Sequence, residues 1–382
     1  MKEVVIVAAV RTAVGKRNGQ LAYTRADDMA AEVLTEVVKR AGVEKAVVDD
    51  VILGCVSQVG EQAGNIARTA ALIAGFPIEV PGVTIDRQCG SSQQAVHFAS
   101  QAIASGDMDI VIAGGIENMT RVPMGSSAIG VGLSEKLTDK YEIIQQGFSA
   151  ERIAEKWGFN AQQLNEYAYE SHKRAIESID RGDFKKEIMP LQVKNESGDT
   201  VLFEVDEGPR ASTTVEILNK LKPSFQENGL ITAGNSSPIS DGASAVLLMS
   251  LEKAQELGIK PLAKVIARSV IGSDPTLMLT GPIAATKKVL KKAGLDISQI
   301  DTYEVNEAFA PVTLAWLKDL GADHAKLNVN GGAIALGHPL GASGTKLITT
   351  LIHRMQRENL KYGLVTFCEG GGMSNATIFE KM

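Results

Sequence analysis

Short apolar runs and helically spaced apolar positions alternate along this chain. Strand-like apolar runs at residues 4–9, 51–56, 110–113, 265–267, 302–305 and 364–367 have the make-up of buried strands. Between them, apolar residues recur at helical spacing over 30–41, 93–104, 284–293 and 346–355. Strand and helix in alternation predict an α/β architecture whose strands are buried.

The pattern also repeats. Val37-Val38-Lys39-Arg40-Ala41-Gly42 matches Val289-Leu290-Lys291-Lys292-Ala293-Gly294, 252 positions later. An Asp, Asp49 or Asp301, follows each Gly at the same distance and opens a strand. In the same register Gly90-Ser91 falls on Ala342-Ser343, and each pair begins a helix. Each helix leads to a strand expected to end in glycines, Gly114-Gly115 and Gly370-Gly371-Gly372. Duplication explains several matches in one register. It divides the chain into a first half at 1–117 with 240–260, a second half at 261–382, and an unmatched insertion at 118–239 that covers the active site. The insertion carries an amphipathic helix at 162–179 and a polar hairpin at 193–205 turned at Ser197-Gly198-Asp199.

Composition narrows the function classes. Apolar residues make up 44% and charged residues 22%, as in a soluble globular protein. With net charge −6 and no basic tract, a nucleic-acid partner has no electrostatic support. An anionic ligand needs a local basic site. No apolar stretch approaches the ~20 residues of a membrane span, and Arg11 closes the first apolar run too early for a signal peptide. Cys55, Cys89 and Cys368 stand far apart, with neither disulfide nor metal-site spacing, which fits a reducing cytoplasm and no bound metal.

Chemistry concentrates in four segments. Cys89 stands in Asp86-Arg87-Gln88-Cys89-Gly90-Ser91-Ser92 ahead of a helix, where the helix dipole lowers a thiol pKa; read alone, it is equally a small buried apolar residue. His338 lies in the glycine-rich run from Asn330 to Gly344 and is fixed before Pro339, as a positioned base or donor would be. Cys368 opens Cys368-Glu369-Gly370-Gly371-Gly372 at a strand end, beside free backbone N–H groups. Asn306, in Val305-Asn306-Glu307-Ala308-Phe309, also reads as a helix N-cap. His97, His172, His324 and His353 read as structural or solvated.

Together with Ile6-Val7-Ala8-Ala9-Val10-Arg11-Thr12, Gly114-Gly115-Ile116-Glu117-Asn118-Met119, Thr232-Ala233-Gly234-Asn235-Ser236-Ser237 and Asp241-Gly242-Ala243, these segments resemble the thiolase family over nearly the whole chain. The resemblance implies a duplicated five-layer α-β-α-β-α fold with an inserted loop domain. It implies acyl exchange between coenzyme A and the α-carbon of acetyl-CoA, no prosthetic group, acyl-CoA and CoA as substrates, and a homodimer or homotetramer. By motif, Cys89 is the acyl-carrying nucleophile, His338 its activator and Cys368 the proton shuttle. Asn306 holds a water, and the N–H groups of Cys89 and Gly370 form an oxyanion hole. Ser237 and Phe309 line the pantetheine arm, and Arg210 reaches the nucleotide end.

Departures from the pattern bear on the substrate. Gln145-Gln146-Gly147 stands where the short-chain type reads His-Met-Gly, and Ser92-Gln93-Gln94, Leu279 and Glu369 also differ from common members. These imply an enzyme not restricted to acetoacetyl-CoA, against the alternative of a dedicated acetoacetyl-CoA thiolase. Two other readings compete: a decarboxylating ketosynthase, which would lack a thiol at Cys368, and a silent acyl-CoA- or lipid-binding relative.

Overall fold

The computed structural model describes residues 1–382. Nine strands carry the main sheet: β1 (Val4–Thr12), β2 (Asp50–Gly54), β3 (Gly82–Ile85), β4 (Ile110–Asn118), β5 (Ser240–Ser250), β6 (Ala263–Gly272), β7 (Thr302–Val305), β8 (Tyr362–Glu369) and β9 (Met373–Lys381). Their order is β7-β8-β9-β6-β1-β5-β4-β2-β3. The principal helices are α1 (Ala26–Ala41), α2 (Ile66–Ile73), α3 (Ser91–Ser105), α4 (Gln146–Trp157), α5 (Ala161–Arg181), α6 (Gly281–Ala293), α7 (Ala310–Leu320) and α8 (Ser343–Glu358). No helix is long and apolar enough to cross a membrane.

The sheet is two similar halves joined at a narrow seam. In one half β1 and β5, then β5 and β4, run antiparallel, and β4 and β2 run parallel. The other half repeats this with β6–β9, β9–β8 and β8–β7. Only Val5↔Lys264 and Ile6↔Ala263 connect β1 to β6. The repeat extends to side chains. Asp49 Oδ2 accepts from the N–H groups of Asp109 and Ile110, and Asp301 Oδ2 accepts from Lys361 and Tyr362, the same positions 252 residues on.

Side chains alternate across each strand, so every strand feeds two cores. Val5 and Val10 of β1 join α1 and α2 in an outer core, while Val4 and Ile6 face α3 and α8 in a middle core. In the second half Val365 and Phe367 of β8 face that same middle core, and Leu364 and Cys368 face an outer core with α6 and α7. Three apolar cores separated by two sheet halves make the five layers α-β-α-β-α. Strands buried on both faces lose their polar alternation, which is why they read as continuous apolar runs.

Two sequence expectations shift. Gly114-Gly115 do not end a strand but lie inside β4, because a Cβ at Gly114 would fall 2.6 Å from Ser244 O and one at Gly115 2.0 Å from Gly341 O. The inserted hairpin lies two residues earlier than 193–205: Leu191–Lys194 pairs with Thr200–Phe203, turned by Gly198 at φ +84°.

Candidate active site

The thiol of Cys89 is presented by a pinned, strained turn. Gln88, a non-glycine residue, holds φ +48°, a conformation that costs ~1 kcal/mol or more. Asp86 Oδ1 accepts from the Gln88 N–H at 2.6 Å, and Ser91 Oγ donates to Gln88 O at 2.6 Å while accepting from Arg87 N–H at 2.9 Å. Gly90 follows as the N-cap of α3. Cys89 is buried, and burial pushes its thiol well above the ordinary range, reinforced by Cys368 and Glu369. The N–H groups of Cys89 itself and of Gly370 act against this, so both donors face the sulfur. The dipole-lowered thiolate expected from the sequence is therefore not the resting state. Desolvation outweighs the helix terminus, and the thiol is neutral until a base takes its proton.

The second thiol sits at the end of β8. Gly371 and Gly372, at φ +79° and +77°, close the hairpin to β9 and turn the Gly370 N–H toward Cys89. A Cβ at Gly372 would fall 2.8 Å from Ser273 O, so the close approach of this turn to the end of β6 requires glycine. Cys368 is fully buried and pushed up to about 12, by burial first. The Asn306 side chain and the Ala308 N–H draw it back toward the anion.

His338 reaches the same pocket from the loop before α8. Its Nδ1 lies 2.5 Å from Ser343 Oγ, which donates to Pro339 O at 2.7 Å, and its Nε2 lies 3.4 Å from Asn306 Nδ2. Read in one direction, this chain puts the proton on Nδ1 and leaves the Nε2 lone pair facing the site. Burial, with Lys346 adding to it, lowers His338 to about 3, so the ring is neutral. The first turns of α3 and α8 touch here. A Cβ at Gly344 would fall 2.1 Å from Gln93 N, and Thr345 N–H donates to Ser92 Oγ at 3.0 Å. Cys89, Cys368, Asn306 and His338, spread over 280 positions, thus converge on one junction.

Two buried carboxylates that sequence reasoning passed over hold this junction in shape. Glu307 accepts from Tyr167, Ser171, Asn328 and the Ile334 N–H, tying the His338 loop to α5. Glu117 accepts from the N–H groups of Val56, Ser57 and Gly341 and from Gln62. Only their place in apolar stretches hinted at burial.

The remaining candidates divide. Ser237 N–H donates to Ala308 O at 3.0 Å, and Ser236 bridges to Phe309, which stacks edge-on with Phe225 at 6.0 Å. These two therefore lie together, one residue from the Ala308 N–H that faces Cys368. Arg210 is exposed on the insertion, with its N–H donating to His172 Nδ1 at 3.2 Å. Gln146 opens α4 and points inward: its Nε2 and Gln88 Oε1 lie 3.2 and 3.1 Å from where a Cβ on Gly370 would stand. His97 is fully buried and bonds Thr377 Oγ1 at 2.7 Å, and His353 meets Ala9 O, both structural.

Similarity to known proteins matches this geometry. The family descriptions "Thiolase, N-terminal domain" and "Thiolase, C-terminal domain" match residues 4–252 and 259–381. The chain is 49% identical to the steroid 3-ketoacyl-CoA thiolase FadA6 of Mycobacterium tuberculosis, covering 100% of this chain and 95% of that one. It is 44% identical to an acetyl-CoA acetyltransferase of Pseudomonas aeruginosa (98% of each chain) and 44% identical to a 3-ketoacyl-CoA thiolase of Bacillus subtilis (100% of each). Among solved structures, an acetyl-CoA acetyltransferase from Bacillus anthracis superposes with a TM-score of 0.93 at 40% identity, over 100% of this chain and 99% of that one.

Proposed function

This chain belongs to the thiolase family, and on that premise we propose that it cleaves 3-ketoacyl-CoA thioesters larger than acetoacetyl-CoA. It is an acyltransferase that exchanges acyl groups between CoA thioesters. His338 Nε2 takes the Cys89 proton, and the thiolate attacks the 3-keto carbon. The C2–C3 bond breaks, Cys368 protonates C2 of the departing acetyl-CoA, and the acyl group stays on Cys89. A CoA thiol then takes it off. The N–H groups of Cys89 and Gly370 carry the charge on the thioester oxygen of the acyl-enzyme as CoA attacks. Asn306, whose Oδ1 has no protein partner, orients a water at the opposite oxyanion. Ser237 and Phe309 receive the pantetheine arm, and Arg210 the nucleotide phosphates.

The observation that carries the size reading is Gln146. Gln146 is half-buried, and it sets a polar amide beside Gly370 where an apolar side chain would seal a methyl-sized pocket; an amide there needs hydrogen-bond partners or water. A relative named for steroid substrates supports the same reading, and relatives named acetyl-CoA acetyltransferases support the dedicated acetoacetyl-CoA alternative. CoA-dependent thiolysis of acetoacetyl-, 3-ketohexanoyl- and 3-ketooctanoyl-CoA separates them. The longer substrates should match or exceed acetoacetyl-CoA in kcat/KM; an advantage of more than about a hundredfold for acetoacetyl-CoA overturns the size reading.

The chain divides at 1–117 with 240–260, 118–239 and 261–382, supported by the repeated strand order. Three free buried thiols suit the cytoplasm. The unpaired edge strand β3, with Val83, Leu72 and Phe98 exposed beside it, suits a homodimer or homotetramer, which light scattering would measure.

A further inference from the structure

Glu369 is the one acid of the thiol pocket to which the mechanism above gives no role. It is fully buried, and neither carboxyl oxygen has a hydrogen-bond partner. Along β8 it alternates with Cys368, so its side chain points to the middle layer and lies against the N-cap of α3. A Cβ at Gly90 would fall 2.0 Å from Glu369 Oε1. Its counterpart in the first half, 252 positions earlier, is Glu117, whose carboxylate is clamped by four donors, among them the N–H of Gly341. In the same register Gly341 corresponds to Cys89, but the Cys89 N–H faces its own sulfur. One copy of the carboxylate is a structural clamp. The other has been left without donors beside a nucleophile.

We propose that Glu369 is a positioning residue for the two thiols: it keeps its proton in the resting protein, so that the cluster takes up only a single negative charge, for which Glu369, Cys89 and Cys368 compete. The proposal rests on the reading of Cys89 as nucleophile. An ionised carboxylate without donors is costly in a dry site, whereas a protonated one is tolerated. The start of α3 favours one anion, and two groups compete for it. Burial pushes Glu369 up to about 8, and its charge raises both cysteines. The other groups facing it are few. Arg87 and then the Asn375 N–H on β9 favour the anion, but Arg87 Nη1 is turned to Met373 Sδ at 3.6 Å and neither group makes a hydrogen bond to the carboxyl; Asp86 opposes it, and the Asn375 side-chain amide is spent on Gly90 O. His97, farther along α3, is held neutral by burial, at about 3.

The test is the pH dependence of Cys89 alkylation by iodoacetamide, with the labelled peptide mapped, in wild type, Glu369→Gln and Glu369→Met. The second variant stands in if the buried amide folds poorly. In the wild type the rate should climb less than tenfold per pH unit above pH 8, because Glu369 ionises first and repels the thiolate. Both variants should alkylate within about twofold of wild type at pH 6.5 and about three- to tenfold faster at pH 9. Superimposable wild-type and variant profiles on a labelled Cys89 overturn this inference alone. Label on Cys55 or Cys368 in place of Cys89 overturns the reading of the nucleophile as well.

Discussion

Asn306 Nδ2 lies 3.4 Å from Nε2 of His338, the ring nitrogen that the Ser343–Pro339 chain leaves without a proton. One amide thereby touches both the His338 ring and Cys368, since the same side chain also favours the anion of Cys368. On the proposed roles, the base for one thiol and the proton carrier of the other are coupled through it.

Ser343 sets the tautomer, so its removal should damage the base without touching a thiol. Ser343→Ala is expected to slow Cys89 acylation by about tenfold or more, and His338→Ala by about a hundredfold or more. Burst kinetics with acetoacetyl-CoA measure both. Equal rates in wild type and Ser343→Ala would remove the hydroxyl from the chain.

Because burial holds His338 near 3, its ring stays neutral as pH falls through the ordinary histidine range. A lowered histidine pKa means the base form is lost only on approaching pH 3. The acid limb of kcat/KM between pH 5 and 8 should therefore carry no step at ~6.5 assignable to His338. Imidazole NMR of selectively labelled enzyme checks it, and a midpoint near 6.5 for His338 would show that the pocket is wetter than described.

Two thiols imply two separable functions. Cys368→Ser should leave Cys89 acetylation within about tenfold of wild type and slow exchange of the acetyl-CoA α-protons with deuterated solvent by about a hundredfold or more. Full-rate exchange in the variant would contradict the division of labour.

Glu307 ties α5 to the His338 loop through four accepted hydrogen bonds. Glu307→Ala leaves these donors unpaired and should destabilise the protein by about 3 kcal/mol or more, while Tyr167→Phe, which removes one of them, should cost about 1–2 kcal/mol. Denaturant unfolding measures both, provided the transition is two-state.

What the sequence made legible follows from locality. Cys89, His338, Cys368 and Asn306 stand in short segments whose glycines and flanking residues are themselves part of the geometry, so the pattern is visible without the fold. Strands β5 and β9 escaped notice because they carry polar residues near their starts, Ser240-Asp241 and Ser374-Asn375. The polar residues inside these strands are buried all the same, since distant partners satisfy them: Ser244 bonds Thr345 and the Ala342 carbonyl, and Thr377 bonds His97 and Gln93. Glu117 and Glu307 were hidden for the same reason, because their donors come from segments distant in the sequence. The thiol pKa was misjudged because a helix terminus is readable locally, whereas the desolvation that overrides it depends on three layers packing around Cys89.

The central claim is the acyl-enzyme on Cys89. Incubation with acetyl-CoA, an acid quench, digestion and mass spectrometry should place a 1:1 acetyl group on the peptide bearing Cys89, and Cys89→Ala should abolish both the label and thiolysis with the fold intact by circular dichroism. An acetyl group on Cys55 or Cys368, or thiolysis that survives in Cys89→Ala, would contradict the account.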